Sequence, residues 1–285
     1  MRIEEKITLD ESLIASVTEL EAVIQEHDQT YRDIYLDSRF NFDQSMPAFQ
    51  FAWQEDVLVG FLSIYADNSE EAELSVIVHP EYRRQGIAKV LIENAKSIVQ
   101  AYDIDNIVYI SERRFIEETA YLQDAYQINW DETEYIMQAD ERLDKSFVEG
   151  QISVREAVMN DAHNIASFQS EAFDSSFKEA MTYAEGSIGD AEHAIYVFLN
   201  EDEKIVGSSS VNITDDYYYL FGLAVDTKYQ GQGVGTQGIY IMMEQLSKQS
   251  KRPFRLSVEK ENEHAKYLYQ KNGFEVISEV IYLSE

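Results

Sequence analysis

The chain has 285 residues, 53 Asp and Glu against 23 Lys and Arg, a formal net charge of −30, and no cysteine. That balance argues against nucleic acid as a partner, since phosphate backbones are held by clustered Lys and Arg. The missing thiols exclude disulfides, Cys nucleophiles and Cys metal sites. The five histidines (27, 79, 163, 193 and 264) are scattered, so no metal is expected.

An apolar content of 45% suits a globular protein, and the length suits two domains of ordinary size. No run approaches the ~18 apolar residues of a membrane helix, and Met1–Lys6 opens no signal-peptide core. No membrane contact and a cytoplasmic location are expected. Residues 1–150 carry 12 basic and 32 acidic groups, and residues 151–285 carry 11 and 21. The bland explanation is solubility; the functional one is attraction of a cationic ligand.

In chain order, Leu13, Val17, Leu20 and Ile24 form a helical stripe over residues 12–26. Phe49–Trp53 and Val57–Tyr65 predict a hairpin around Gln54-Glu55-Asp56, followed by a strand over 72–78. Ile87, Leu91, Ala95 and Ile98 predict a helix, Ile104–Ile110 a strand, and Tyr135–Ala139 a closing strand of the first half. The polar stretch 140–150 reads as a linker, giving domains 1–148 and 149–285.

The second half restarts with a strand at Ile152–Arg155 and a helix carrying Ile165, Phe168 and Phe173, with Asp161 as its cap. Ala194–Leu199 and Ile205–Ile213 predict a hairpin, Tyr217–Val225 a strand, and Ile239, Met242, Met243 and Leu246 a helix. A strand at Phe254–Val258, a helix at Ala265–Lys271 stopped by Asn272-Gly273, and a closing strand at Val276–Leu283 complete it.

The two halves repeat. Val76–Ala88 and Leu223–Gly235 each run from an apolar strand through a polar turn and a Gly-containing loop into a helix. Val78 and Val225, Arg83 and Gln230, and Gly86 and Gly233 are all 147 positions apart. So long a period means two copies of a domain, because solenoid repeats run ~20–50 residues. A helix's first N–H groups lack intrahelical partners and its dipole adds positive charge, so such a loop suits phosphate. Gly233 and Gly235 would let a ligand approach the backbone without meeting a Cβ.

At these residues the chain resembles the GNAT superfamily of acyl-CoA-dependent N-acetyltransferases. Arg83-Arg84-Gln85-Gly86-Ile87-Ala88 and, more closely, Gln230-Gly231-Gln232-Gly233-Val234-Gly235 match its Q/R-x-x-G-x-G/A motif. Asn262 to Phe274 is similar to its N-x-x-A-x-x-L-Y-x-x-x-G-F signature. The resemblance implies an α/β (α+β) fold in two GNAT-like domains. Each would be a mixed, mostly antiparallel twisted sheet flanked by helices, with its fourth and fifth strands splayed around the acyl donor. It implies acetyl-CoA as acyl-donor substrate, held in the second copy by Leu223, Ala224, Val225, the loop Gln230 to Gly235, Thr236 and Asn262. In the first copy, Val78 and Arg83 to Ala88 would do the same.

It further implies transfer to a primary amine of a small molecule or peptide, with Tyr269 protonating the leaving thiolate. Alternatives stay open: Tyr269 as a packing residue, and Asn262 as a helix cap. Glu259 is a candidate base, two positions from Ser257 and on the same side of a strand; solvent exposure is the alternative. Asp215, Asp216 and Tyr217 to Tyr219 could line an acceptor pocket. The first copy looks eroded, with Gln123 where the acid would stand and Glu73 as its one well-placed carboxylate. The other classes are a non-catalytic acyl-CoA binding module and, from Gly233-Val234-Gly235-Thr236-Gln237-Gly238, a nicotinamide enzyme. The last would need several further βα units, for which too few residues follow. The oligomeric state, monomer or homodimer, is open from sequence.

Overall fold

The structure, a computed structural model, describes residues 1–39, 41–140, 152–190 and 193–285, with every side chain of these but that of Glu132. The chain divides into two compact units, Met1–Glu134 with Ser278–Glu285, and Tyr135–Ile277. The expected linker after Asp140 and the expected boundary between 148 and 149 lie outside the described residues. Among those described, no helix is long and apolar enough to cross a membrane.

Unit 1 begins with β1 (Arg2–Lys6) and α1 (Glu11–Asp28). The Asp10 carboxylate accepts the Leu13 N–H at 2.9 Å and so satisfies one orphan donor of α1. The predicted stripe is real: Val17, Leu20 and Ile24 are buried and cluster with Phe49, Phe51 and Phe61. Those rings come from β2 (Phe49–Gln54) and β3 (Val57–Tyr65), which pair antiparallel as the predicted hairpin. Beyond them run β4 (Glu71–Val78), α2 (Ile87–Ala101), β5 (Asn106–Glu112), α3 (Arg113–Glu118), α4 (Ala120–Ala125) and β6 (Gln127–Ala139). On α2, Ile87, Leu91 and Ala95 bury against Leu62, Ile64 and Leu74. Helical cover on both sides explains why β3 reads as a near-continuous apolar run.

Two strand assignments differ from expectation. The last strand, β12 (Glu275–Ser284), was expected to close the second half. Its Val280–Leu283 instead pair antiparallel with Glu112–Tyr109 of β5, in unit 1. The strand expected to close the first half, Tyr135–Ala139, falls in unit 2. There its Gln138 accepts a hydrogen bond from Arg255 of β11 (Phe254–Glu259) at 2.9 Å. Period-2 alternation specifies that a strand forms and which face is buried, not which sheet edge receives it. Within unit 1 the order is β1-β2-β3-β4-β5-β12-β6.

Unit 2 holds β7 (Ser153–Glu156), α5 (Ala162–Ala172), α6 (Phe177–Ser187), β8 (His193–Leu199), β9 (Ile205–Ile213), β10 (Tyr218–Val225), α7 (Val234–Gln249), β11 and α8 (Glu263–Lys271). Its order is β6-β11-β10-β9-β8-β7. Asp161 does not cap α5 through its side chain. Its carboxylate accepts from the Val158 N–H and pairs with Arg155 at 2.6 Å, fixing the turn before the helix. Helix α6 escaped sequence reading although Ser176 and Glu179 form a reciprocal capping box at its start.

Both units are mixed sheets in which neighbours with a known register run antiparallel except β4 with β5 and β10 with β11. In unit 2, α7 lies so close to β8 that a Cβ on Gly238 would stand 2.4 Å from two ring carbons of Phe198. Gly238 is buried and Phe198 belongs to the core cluster of unit 2. Gly238→Ala should therefore destabilise the protein by roughly 1–3 kcal/mol. A urea midpoint indistinguishable from that of the parent chain would show that the helix can back away freely.

Candidate functional site

The two repeated loops superimpose in their internal logic. After β4, His79 accepts the Glu81 N–H and a 3-10 turn covers Pro80–Tyr82; after β10, Asp226 accepts the Lys228 N–H and a 3-10 turn covers Thr227–Tyr229. Arg83 Nε donates to the Val78 carbonyl at 3.0 Å, and Gln230 Nε2 donates to the Val225 carbonyl at 3.0 Å. Arg84 and Gly231 share positive φ, 63° and 71°, and Gly86 and Gly233 both have φ 83°. Gly86 and Gly233 start α2 and α7, and neither helix has a side-chain cap. Their first N–H groups thus converge with no side chain of their own to bond. A Cβ on Gly86 would meet nothing within 4 Å, and one on Gly233 only Gln237 Nε2 at 3.8 Å. These residues fit a phosphate-bearing ligand, by open approach and uncapped donors.

Beside each loop the sheet opens. The β4–β5 ladder runs from Glu71↔Asn106 to Leu74↔Tyr109 and stops, although β4 continues to Val78 and β5 to Glu112. The β10–β11 ladder stops at Tyr219↔Arg255, although β10 continues to Val225. In β10 the register with β9 also slips between Phe221 and Ala224, around Gly222 at φ 60°.

In unit 1 the gap is a cavity of about 1070 Å³. It is bordered by the loop and first turns of α2, by β4 from Ser75 to Val78, and by β5 from Tyr109 to Glu112. It also reaches Glu21 and Asp28 on α1, and Arg32 beyond that helix. Because α1 and α2 belong to different core clusters, the cavity passes through the sheet and joins the loop to the α1 side.

The groups at the α1 end are differently satisfied. Arg83 grips Asp28 with two bonds, 2.8 and 2.5 Å. Burial works to raise the Asp28 pKa, but hydrogen bonds from Arg83 and His27 outweigh it and hold the carboxyl below its ordinary value. Glu112 accepts the main-chain N–H groups of Tyr31 and Arg32, each at 2.9 Å, and the Ser278 hydroxyl. Among the described residues Glu21 accepts only the Ile34 N–H, at 2.6 Å. Burial, with repulsion from Asp33, pushes its pKa up to about 7 against the pull of that N–H and of Arg32.

The remaining predicted residues distribute as follows. Gln123 donates to the Ile116 carbonyl and is a structural tie of α3 to α4. Glu73 lies on β4 with its pKa raised, chiefly by burial. In unit 2, Asn262 caps α8, accepting the Ala265 N–H at 3.0 Å. Gly235 gives Leu268 of α8 room to pack, since a Cβ there would stand 2.9 Å from Leu268 Cδ1. Tyr269 is 8% exposed in the unit 2 core, edge-on to Phe274. Burial, with a smaller contribution from Tyr219, pushes its phenol up to about 12, so it is protonated at neutral pH. Glu259 is exposed at the end of β11. Among the described residues no group of His, Asp and Glu is arranged to hold a metal.

Sequence reading missed Glu21, Arg32, Ser75 and Glu112. One signal existed for Glu21: it follows Leu20 and precedes Ile24 by three, a carboxylate on the flank of an apolar stripe. Nothing in the sequence pointed to the other three.

The acetyltransferase (GNAT) family model matches residues 14–120 and again 159–274. Solved structures with the same fold include a GCN5-related N-acetyltransferase from Sphaerobacter thermophilus, 15% identical, with a TM-score of 0.75 over 99% of this chain and 95% of that one. A tandem GNAT protein from the clavulanic acid biosynthesis pathway is 14% identical, with a TM-score of 0.70 over 100% and 98%. A GNAT-family acetyltransferase from Colwellia psychrerythraea is 14% identical, with a TM-score of 0.66 over 100% and 99%. No curated protein matches the sequence.

The state of Glu21 can be read from stability. A carboxyl raised to about 7 in the folded chain binds more protons there than unfolded, where 4.5 is its ordinary value. Its favourable contribution is full below about pH 4.5 and is lost as the pH rises through 7. The stability of the parent chain relative to Glu21→Gln should therefore fall between pH 5 and pH 8. Denaturant titrations giving a constant difference across that window would contradict the raised pKa.

Proposed function

The chain belongs to the acetyltransferase (GNAT) family, and from that premise we propose that it moves an acetyl group from acetyl-CoA to a primary amine. The observation that carries this reading is the twice-built pairing of an uncapped, positive-φ loop with a parallel ladder that stops short. A pyrophosphate on the loop amides would leave the thioester arm running along the freed strand edge, whose N–H groups can polarise the carbonyl. In unit 1 this arm would bring into use Val78 and the loop Arg83 to Ala88. In unit 2 it would bring into use Leu223, Ala224, Val225, Gln230 to Thr236 and Asn262.

The chemistry needs few groups. The amine nitrogen attacks the thioester carbon, the C–N bond forms and the C–S bond breaks. The amine's proton goes to a base and the thiolate takes one from an acid. Tyr269, protonated at neutral pH, is the acid of this reading, and Glu259, exposed on the adjacent strand end, the carboxylate that can pass the amine's proton to water. An excess of 53 carboxylates over 23 cationic side chains favours the encounter with ammonium-bearing molecules.

A second reading, a non-catalytic acyl-CoA binding module, is favoured by one observation. Tyr269 is packed within the apolar cluster of unit 2, as a structural Tyr would be.

Two measurements separate these readings. Calorimetry with coenzyme A should find two sites in the parent chain. Gly86→Glu and Gly233→Glu, each placing a carboxylate where the pyrophosphate would lie, should remove one each. A stoichiometry unchanged in both variants would dispose of the loop assignment. Tyr269→Phe keeps the ring and deletes the donor, so thiol release from acetyl-CoA over an amine panel should slow by roughly 10²–10⁴-fold with KM for the donor little altered. Parent-like turnover in a folded Tyr269→Phe protein would leave Tyr269 a packing residue.

A further inference from the structure

We propose, building on the acyltransfer reading, that unit 1 takes an amino acid at the α1 end of its cavity, the carboxylate on Arg32 and the ammonium on Glu21. The argument starts from the arginines. In unit 1, Arg2, Arg39, Arg83, Arg113 and Arg114 each stand within 3.4 Å of a carboxylate oxygen. Arg32 and Arg84 have no such partner among the described residues. In a chain with 53 carboxylates that is an exception, and both exceptions line the same cavity. Arg84 adjoins the phosphate loop with its guanidinium 4.6 Å over the Tyr121 ring. Arg32 stands at the other end, where its Nη1 donates to Ser75 Oγ at 2.9 Å.

A guanidinium carries five N–H donors in a rigid fork that matches a carboxylate, and leaving it half-buried without an anion is costly. The carboxylates nearby are otherwise engaged: Asp28 by Arg83, and Glu112 by two main-chain N–H groups and Ser278. Glu73 and Glu21 feel Arg32 only at longer range. Arg32 therefore offers its fork to a ligand anion, with the Ser75 hydroxyl beside it.

Glu21 supplies the complementary charge. One of its oxygens takes the Ile34 N–H; the other has no partner among the described residues. The charged groups facing it are Asp33 and Arg32, and near pH 7 its carboxyl stands between the neutral and ionised forms, so that an arriving cation favours the carboxylate. A diamine or polyamine would set a second ammonium against Arg32, and a simple monoamine would leave Arg32 desolvated and unpaired. A molecule with both an ammonium and a carboxylate satisfies both groups. The surface field of the chain favours cations at long range, but the pair at the cavity end decides what stays.

The experiment compares acids with their amides. Ligand-observed saturation-transfer NMR on the full chain, without acetyl-CoA, would use glycine, L-leucine, L-lysine and L-glutamate, their α-carboxamides, and spermidine. Each amide keeps the amine and the side chain and loses only the α-carboxylate. At least one acid should bind, roughly tenfold or more tighter than its amide. The preference should vanish in Arg32→Gln and survive in part in Arg32→Lys, with melting temperatures showing all variants folded. Should Arg32→Gln fail to fold, Arg32→Lys and Ser75→Ala carry the test, and an acid preference unchanged in both overturns the proposal. So does binding of no acid, binding of an amide or spermidine as tight as the acid, or a preference unaltered in folded Arg32→Gln. Thiol release from acetyl-CoA is scored separately. Acid preference without release refutes acyl transfer but not the site; release without acid preference refutes the site alone.

Discussion

Parallel strands joined through a helix ordinarily stay paired along their shared length, because each unpaired N–H and C=O removed from water costs free energy. β4 and β5 part after Leu74↔Tyr109, with four residues of β4 still to run. Beyond that point β5 stays held by its other edge, where Tyr109 to Glu112 pair with Leu283 to Val280 of β12. The freed edge of β4, from Ser75 to Val78, borders the cavity. The loop, the cavity and the groups at its two ends all follow from this stop. In unit 2 the ladder between β10 and β11 stops sooner, after two pairs, and a bulge at Gly222 turns the strand as well.

The two copies keep backbone geometry more faithfully than side chains. The left-handed position before the helix is Gly231 in one loop and Arg84 in the other. An arginine held there costs roughly 1–3 kcal/mol, and it is tolerated because the surrounding turn dictates the conformation. Arg83 and Gln230 both tie the loop to the strand's last carbonyl, but only Arg83 reaches on to Asp28. Asp28 is buried and Arg83 half-buried, so removal of Arg83 would leave the Asp28 charge in a poor environment. The loop of unit 1 thus carries a tie to α1 through Asp28, beyond the bond to the strand's last carbonyl that the two loops share.

Charge acts on two scales. A net −30 sets the long-range field, which salt screens within about 10 Å at 0.1 M. Inside the cavity of unit 1 the balance is local, with Arg84 by the loop and Arg32 by α1 both without a carboxylate at ion-pair distance among the described residues. Composition reports the first scale only.

By itself the sequence determined most of the secondary structure, the internal repeat and the two glycine-containing loops that open α2 and α7. Each is written in contiguous residues: the Val17, Leu20 and Ile24 stripe, the turn at Glu55, and the glycines at 86 and 233, whose φ of 83° only a residue without a Cβ adopts freely. Tertiary structure decided the rest. It gave Val280–Leu283 to β5 of unit 1 and residues 135–139 to unit 2, because alternation fixes a strand's buried face and not its neighbour. It brought Glu21, Arg32, Ser75 and Glu112 to one cavity end, from segments up to about ninety residues apart. It also placed Tyr269 in a core cluster and Glu259 at an exposed strand end. A local motif carries backbone conformation in its own residues. A site carries distance, burial and charge pairing, and these exist only once the chain has closed on itself.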